Sequence, residues 1–214
     1  MTSIKEMKQA AKAQLNGKWL LTVGVLIVAS LIISALSYTV IGALVFAGVM
    51  EFGICAYLVS VTRNKDAGFT KLFVGFNRFG DSCVTGILKT IYETLWSLLL
   101  VIPGIVKSYS YAMTMFIMQD HPELSGNAAI TKSREMMDGH KFDLFLLDLS
   151  FIGWYLLGIL TFGILIIFYV EPYHAATRAN FYEQLRVDTE GAPVKPEATE
   201  VDATETEAST EDKE

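Results

Sequence analysis

The stretch WLLTVGVLIVASLIISAL, Trp19 to Leu36, decides how the rest of the chain is read. It carries no charge, and its 18 residues are close to the lower end of what a helix needs to cross hydrocarbon, roughly 17–25 residues. Four lysines precede it (Lys5, Lys8, Lys12, Lys18). The same alternation continues outward. Basic residues cluster again between Arg63 and Arg78, between Lys132 and Lys141, and from Arg178 onward, with apolar stretches between the clusters. Each stretch is long enough for two crossings. Only Lys89 and Lys107 fall elsewhere. Hydrocarbon rejects cations, and loops retained on the cytoplasmic side are enriched in Lys and Arg. The pattern therefore predicts an integral protein of the cytoplasmic membrane with both termini inside.

Composition agrees. Of 214 residues 52% are hydrophobic, the mean hydropathy is +0.39, and the apolar residues come in runs. The net charge of −6 belongs to the end of the chain. Asp188 to Glu214 holds ten acids and two lysines, which leaves 13 acids and 15 bases before it. That tail has no aromatic residue and cannot bury enough apolar area to offset the entropy of ordering. Residues 187–214 read as a disordered acidic tail, 19–186 as the membrane bundle, and 1–18 as a basic amphipathic helix. Cys55 and Cys83 read as small buried hydrophobes without disulfide or metal spacing.

Along the chain, Ser3 and Glu6 fit a capping box. Ile4, Met7, Ala11 and Leu15 then share one helical face and Lys5, Lys8 and Lys12 another. Two readings stay open: a helix lying on an anionic membrane surface, or an extension of the first crossing. A turn near 37–41 leads to a second run, Ile41 to Val61, interrupted only by Glu51. Phe69, Leu72, Phe73 and Phe76 are spaced for one helical face, either dipping into lipid at the interface or packing on the bundle. A third crossing is expected from Asp81 to Ile102. Pro103-Gly104 is expected to break it. A fourth follows from Ile105 to Met118. Ser125 caps a soluble helix that ends near Gly139. The fifth runs from Phe142 to Leu157, a turn covers Gly158 to Gly163, and the sixth runs from Ile164 to Asn180 with Glu171-Pro172 inside it. The fold class is all-α: a polytopic transmembrane bundle of about six spanning helices in three hairpins, with short interfacial helices.

The second half carries an ordered series of motifs: Ile102-Pro103-Gly104-Ile105, Tyr109-Ser110-Tyr111-Ala112, Ser133 with Met137, Gly139 and Lys141, Leu149 to Trp154, and Pro172-Tyr173 with Ala175 and Phe181-Tyr182. With these the chain resembles the bacterial integral membrane proteins grouped as domain of unknown function 975, over about residues 3–186. The resemblance implies a multi-helix membrane protein and brings no activity, substrate or catalytic residue. A fainter likeness to the membrane domain attached to some glycerophosphodiester phosphodiesterases points to an envelope or lipid context.

Five charged residues fall inside expected crossings: Glu51, Lys89, Glu93, Asp148 and Glu171. An ionised group there costs about 2.5–3.5 kcal/mol on insertion scales, so these groups must face inward and pair. Lys89 and Glu93 are four apart and can pair with each other. As the lone base among these acids, Lys89 should also draw a carboxylate from another helix. The set reads either as a polar path for an ion or small solute, or as pairs that fix helix register. Pro103 and Pro172 are the helix breaks, and Pro172 leaves the Phe168 carbonyl without its usual donor. His174, one turn past Glu171, reads either as its titratable partner or as a satisfied interfacial histidine. No metalloprotease, nucleophile-elbow or phosphate-loop motif occurs, so neither catalytic residues nor metal ligands nor a cofactor is expected. The expected partners are membrane lipids and other membrane proteins, with no nucleic acid. The leading expectation is a non-enzymatic envelope or lipid- and protein-interaction module, with a transporter or channel component as the alternative.

Overall fold

The computed structural model describes residues 3–36, 40–65, 67–99 and 101–191. Residues 37–39 of the first expected turn, and nearly all of the acidic tail, lie outside that range. Every regular element among the described residues is helical. The helices are α1 (Ile4–Gln14), α2 (Trp19–Leu36), α3 (Val40–Thr62), α4 (Val74–Asn77), α5 (Phe79–Leu99), α6 (Val101–Tyr111), α7 (Thr114–Asp120), α8 (Gly126–Met136), α9 (Lys141–Leu149), α10 (Ile152–Leu160) and α11 (Glu171–Glu190). A 3-10 segment, Phe69–Phe73, precedes α4, and a π-helical segment, Ile166–Val170, runs into α11.

α3 is the axis of the bundle, packed by α2, α5, α7, α11 and the 3-10 segment. Small residues make this possible. Gly48 and Gly86 meet where α3 crosses α5, so a Cβ on Gly86 would lie 2.6 Å from the Gly48 Cα. Gly53 lies directly on the Leu72 carbonyl with no room for a methyl group. Any spacing of these backbones would lose dispersion contacts.

The capping box forms, with the Ser3 N–H donating to Glu6 Oε2 at 2.8 Å. The apolar face of α1 is spent on protein: Met7, Ala11 and Leu15 are buried, α1 packs along α11, and Gln14 and Asn180 exchange two side-chain hydrogen bonds. α1 also bends away from α2 by 95°. The apolar face of α1 is thus covered by α11, and α1 meets α2 at a sharp bend. The phenylalanine segment divides between its two readings. Leu72 is buried on α3, whereas Phe69, Phe73, Phe76 and Phe79 form a partly exposed row with ring centroids 5.8, 6.1 and 6.4 Å apart.

Further differences come from local chemistry. Pro103 does not end a helix. It sits in the first turn of α6, where a missing N–H costs nothing, and Gly104 lets α6 pack on Ser97 of α5. The fourth expected crossing is divided into α6 and α7 by a turn at 112–113, and the fifth into α9 and α10 at Ser150–Phe151. Two segments, Val45–Thr62 and Lys141–Leu160, are long and apolar enough to cross a membrane, and α1 with α2 would make a third as one bent element. Among the described residues the geometry therefore gives two or three such segments where the apolar runs led us to expect six. Ser125 caps α8 as expected, and Gly139 takes φ +83° in the turn that follows.

Candidate functional site

Four helices that are distant in sequence bring the five expected charges to one place. Glu51 on α3, Lys89 and Glu93 on α5, Asp148 on α9 and Glu171 at the start of α11 all line a single cavity of about 590 Å3. Lys89 donates to Glu51 across the α3–α5 contact, Nζ to Oε1, at 2.5 Å. The lysine side chain is 14% exposed and the glutamate 42%, so the base is the buried partner. Lys89 therefore does draw a carboxylate from another helix. The expected pairing with Glu93 one turn away does not form, and Glu93 makes no hydrogen bond among the described residues. α3 and α5 approach through Gly48 and Gly86, one turn before Glu51 and Lys89, which brings these two side chains within reach of each other.

The other side of the cavity is a chain of hydrogen bonds. His174 Nε2 lies 2.8 Å from Asp148 Oδ1, and His174 Nδ1 lies 3.2 Å from the Tyr155 hydroxyl. The Tyr155 hydroxyl is 3.2 Å from Glu171 Oε1. His174 is thus linked to Glu171 through Tyr155, and Asp148 is its direct partner. The Phe151 ring packs on the imidazole at 4.8 Å between centroids.

Arg178 also lines this cavity, and its Nε is buried without a hydrogen-bond partner. This corrects two readings. Lys89 is not the lone base among the acids, and Arg178 does not belong with the basic residues of the chain end. The missed signal was a helical one: Glu171, His174 and Arg178 are spaced i, i+3, i+7 and fall on one face of α11. Tyr155 and Tyr109, the latter lining the cavity from α6, had no sequence signal beyond being polar aromatic residues in apolar runs.

Pro172 does not line the cavity. It occupies the first turn of α11, after the π segment, and the Phe168 carbonyl that it deprives of a donor accepts from the Trp19 indole N–H at 2.7 Å. The freed carbonyl is thereby used to dock α2, and it lines no site. Pro103 is likewise absent from the cavity lining.

At the far end of α3 a second set of charges ties three helices. Arg63 donates to both carboxylate oxygens of Asp120 and, through Nε, to Glu183 at 2.7 Å, while the Tyr182 hydroxyl donates to Asp120 at 2.9 Å. Burial, reinforced by the Asp120 charge, pushes the Tyr182 hydroxyl far above its ordinary range and keeps it a donor. Next to it, Lys132 reaches Glu190 at 2.5 Å and His121 lies 3.1 Å from the same carboxylate. Burial alone would raise the Glu190 carboxyl, but Lys132 and His121 outweigh it and hold Glu190 below the usual carboxylate range. Among the described residues no group of three His, Cys, Asp or Glu side chains is placed to hold a metal ion.

The fold and site define an all-helical protein with a charged cavity and, among the described residues, two or three segments long and apolar enough to cross a membrane. Residues 98–189 match the model of the family described as Protein of unknown function (DUF975), so the resemblance carried by the motifs is shown over the second half of the chain. The match begins near the end of α5 and includes Asp148, Tyr155, Glu171, His174 and Arg178, and Glu51 and Lys89 precede it. No curated protein and no solved structure matches the chain.

Proposed function

We propose that this is a non-enzymatic integral protein of the cytoplasmic membrane whose central cavity binds, and lets pass, a small polar solute or ion. The observation that carries this reading is the convergence of Glu51, Lys89, Glu93, Asp148 and Glu171 on one cavity. Glu51 pairs there with Lys89 and Asp148 with His174, while Glu93 makes no hydrogen bond among the described residues. The five share a space of about 590 Å3 that also holds His174 and Arg178, within the 300–1,000 Å3 range of small-molecule sites. Intramembrane ionisable groups gathered at a cavity are the usual mark of a solute or ion pathway.

The membrane assignment rests on the outer surface. Leu98, Ile102, Leu160 and Phe162 are 84%, 76%, 77% and 98% exposed, an apolar surface that water would not tolerate at this extent. With the basic residues of the loops and termini on one side, the arrangement is six crossings in three hairpins with both ends cytoplasmic: α2, α3, α5, α6 with α7, α9 with α10, and the helix from residue 164 onward. Side chains from other helices reach both breaks, Ser133 donating to the Ser110 carbonyl and Lys8 to the Ser150 carbonyl. The exposed phenylalanine row supports a second role, an interaction surface for lipid at the interface.

Thiol accessibility tests the cavity. In a Cys55→Ala/Cys83→Ser background, Ser108→Cys should react in membranes with a hydrophilic, permanently charged thiol reagent, because Ser108 lines the cavity. Ile159→Cys, 67% exposed on the outer surface, should react only with an apolar reagent. An unreactive Ser108→Cys would remove the solute-pathway reading and leave the interaction role.

A further inference from the structure

Asp148, His174, Tyr155 and Glu171 make three consecutive contacts: Asp148 Oδ1 to Nε2, Nδ1 to the phenol oxygen, and the phenol oxygen to Glu171 Oε1. Each contact needs one hydrogen. The phenol brings one, a neutral imidazole brings one, and ionised carboxylates bring none. Two hydrogens cannot serve three contacts, and an unfilled one would set two acceptors against each other. One additional proton completes the set. It can sit in three places with all contacts satisfied. On Asp148, the acid donates to Nε2, Nδ1–H donates to the phenol and the phenol donates to Glu171. On the ring, the imidazolium donates both ways. On Glu171, the acid donates to the phenol, the phenol donates to Nδ1 and Nε2–H donates to Asp148.

We propose that these four side chains form a proton wire that binds one extra proton and passes it between Asp148 and Glu171 along the wall of the cavity. Passage balances at every atom. The Asp148 O–H breaks as Nε2–H forms, Nδ1–H breaks as a new phenol O–H forms, and the original phenol O–H breaks as Glu171 takes its hydrogen. The ring exchanges one tautomer for the other and no oxidant or other reactant is needed. The surroundings fit an exchangeable proton. Arg178, from α11, and Tyr109, from α6, line the same cavity as Asp148. Glu51 on α3 and Lys89 and Glu93 on α5 face the chain from across the cavity. Lys8 of α1 stands 3.9 Å from the Phe151 ring that shields the imidazole.

The inference rests on the cavity reading, since a proton delivered to Glu171 or Asp148 acts on whatever the cavity holds. Its test is separate. The full chain in lipid nanodiscs, with the three histidines 15N-labelled, reports the hydrogen on each ring nitrogen, and His174 is identified by the loss of its signals in His174→Gln. Glu171→Gln supplies its own donor to the phenol, so the ring should settle as the Nε2–H tautomer. Asp148→Asn donates to Nε2, so the ring should settle as the opposite, Nδ1–H tautomer. Each should dominate by roughly tenfold, the worth of one charge-assisted hydrogen bond. In a Tyr155→Phe background, adding Glu171→Gln should change nothing further at the ring. Identical ring states in the two single variants, or an effect of Glu171→Gln that survives Tyr155→Phe, would overturn the wire. The unsubstituted protein gives a check that no folding defect can obscure. At neutral pH it must show either hydrogens on both ring nitrogens or an infrared band of a protonated carboxyl, and the absence of both also overturns the proposal. A cavity closed to thiol reagents alongside the predicted tautomers would sink the solute pathway while leaving the wire.

Discussion

The segments Val45–Thr62 and Lys141–Leu160 are both apolar enough to cross a membrane, yet 72% of the first is buried inside the protein and only 22% of the second. Hydropathy cannot separate them. What separates them is side-chain size and distribution. The α3 segment has Gly48, Gly53, Ala56 and Ser60 along its contacts, so helices and even the backbone of a loop approach it closely. The α9–α10 segment carries Leu149, Ile152, Leu156, Ile159 and Leu160, all exposed, and presents them to the outside. One segment meets protein and the other, on the membrane reading, meets lipid tails.

The largest expected effect comes from the protein-facing segment. Gly53→Ala puts a methyl group into the Leu72 backbone, which cannot swing aside as a side chain could, and should cost about 3 kcal/mol or more as overpacking. Gly153→Ala on α10, where nothing lies within 4 Å, should change stability by no more than about 1 kcal/mol and in the favourable direction. Thermal unfolding in detergent measures both. Similar losses at the two sites would erase the contrast.

Next comes a charge on the outer face. Leu156→Lys, at a side chain 64% exposed, should disfavour membrane insertion by roughly 2 kcal/mol, somewhat below the cost at a helix centre. Membrane fractionation reads this directly. Unchanged expression of a soluble, folded Leu156→Lys protein without detergent would end the lipid assignment.

A smaller effect tests the cavity side of α3. Lys89→Met strands Glu51, whose partial exposure lets water relieve it, and should cost about 1–2 kcal/mol. The double variant Lys89→Met/Glu51→Gln should recover at least half of that loss in the same melting assay, as expected when the penalty comes from the stranded charge.

The smallest effect lies at the polar end of the bundle. The Glu190 carboxyl is depressed in the folded protein, so its contribution is present above the ordinary carboxylate value, about 4.3, and is lost as pH falls through the lower folded value. Glu190→Gln should flatten the acid limb of the stability profile by less than about 1 kcal/mol, since the side chain is 24% exposed. An unaltered acid limb would remove Glu190 from the account.

Much of the architecture was legible in the chain. Trp19–Leu36 is a helix over the expected residues, α3 runs within one residue of the apolar run that suggested it, and the caps at Ser3 and Ser125 form. Even the orphaned carbonyl at Phe168 was readable from Pro172, although its partner, Trp19, was not. The candidate charges were also visible as misfits in apolar runs. Arg178 was harder to see, because a basic residue close to the end of an apolar run looks like a topology marker until α11 turns it inward.

By itself the amino-acid sequence determined most of the helices, their caps at Ser3 and Ser125, and the set of charges that hydrocarbon would force inward, because these depend on neighbours within a few residues. Only the tertiary structure decided that Lys89 takes Glu51 in place of Glu93, that His174 joins Asp148 to Tyr155, that α1 is covered by α11, and which of two equally apolar segments lies at the centre. Those outcomes depend on the rotation and distance of whole helices, set by contacts such as Gly48 on Gly86 that are dozens of residues apart along the chain.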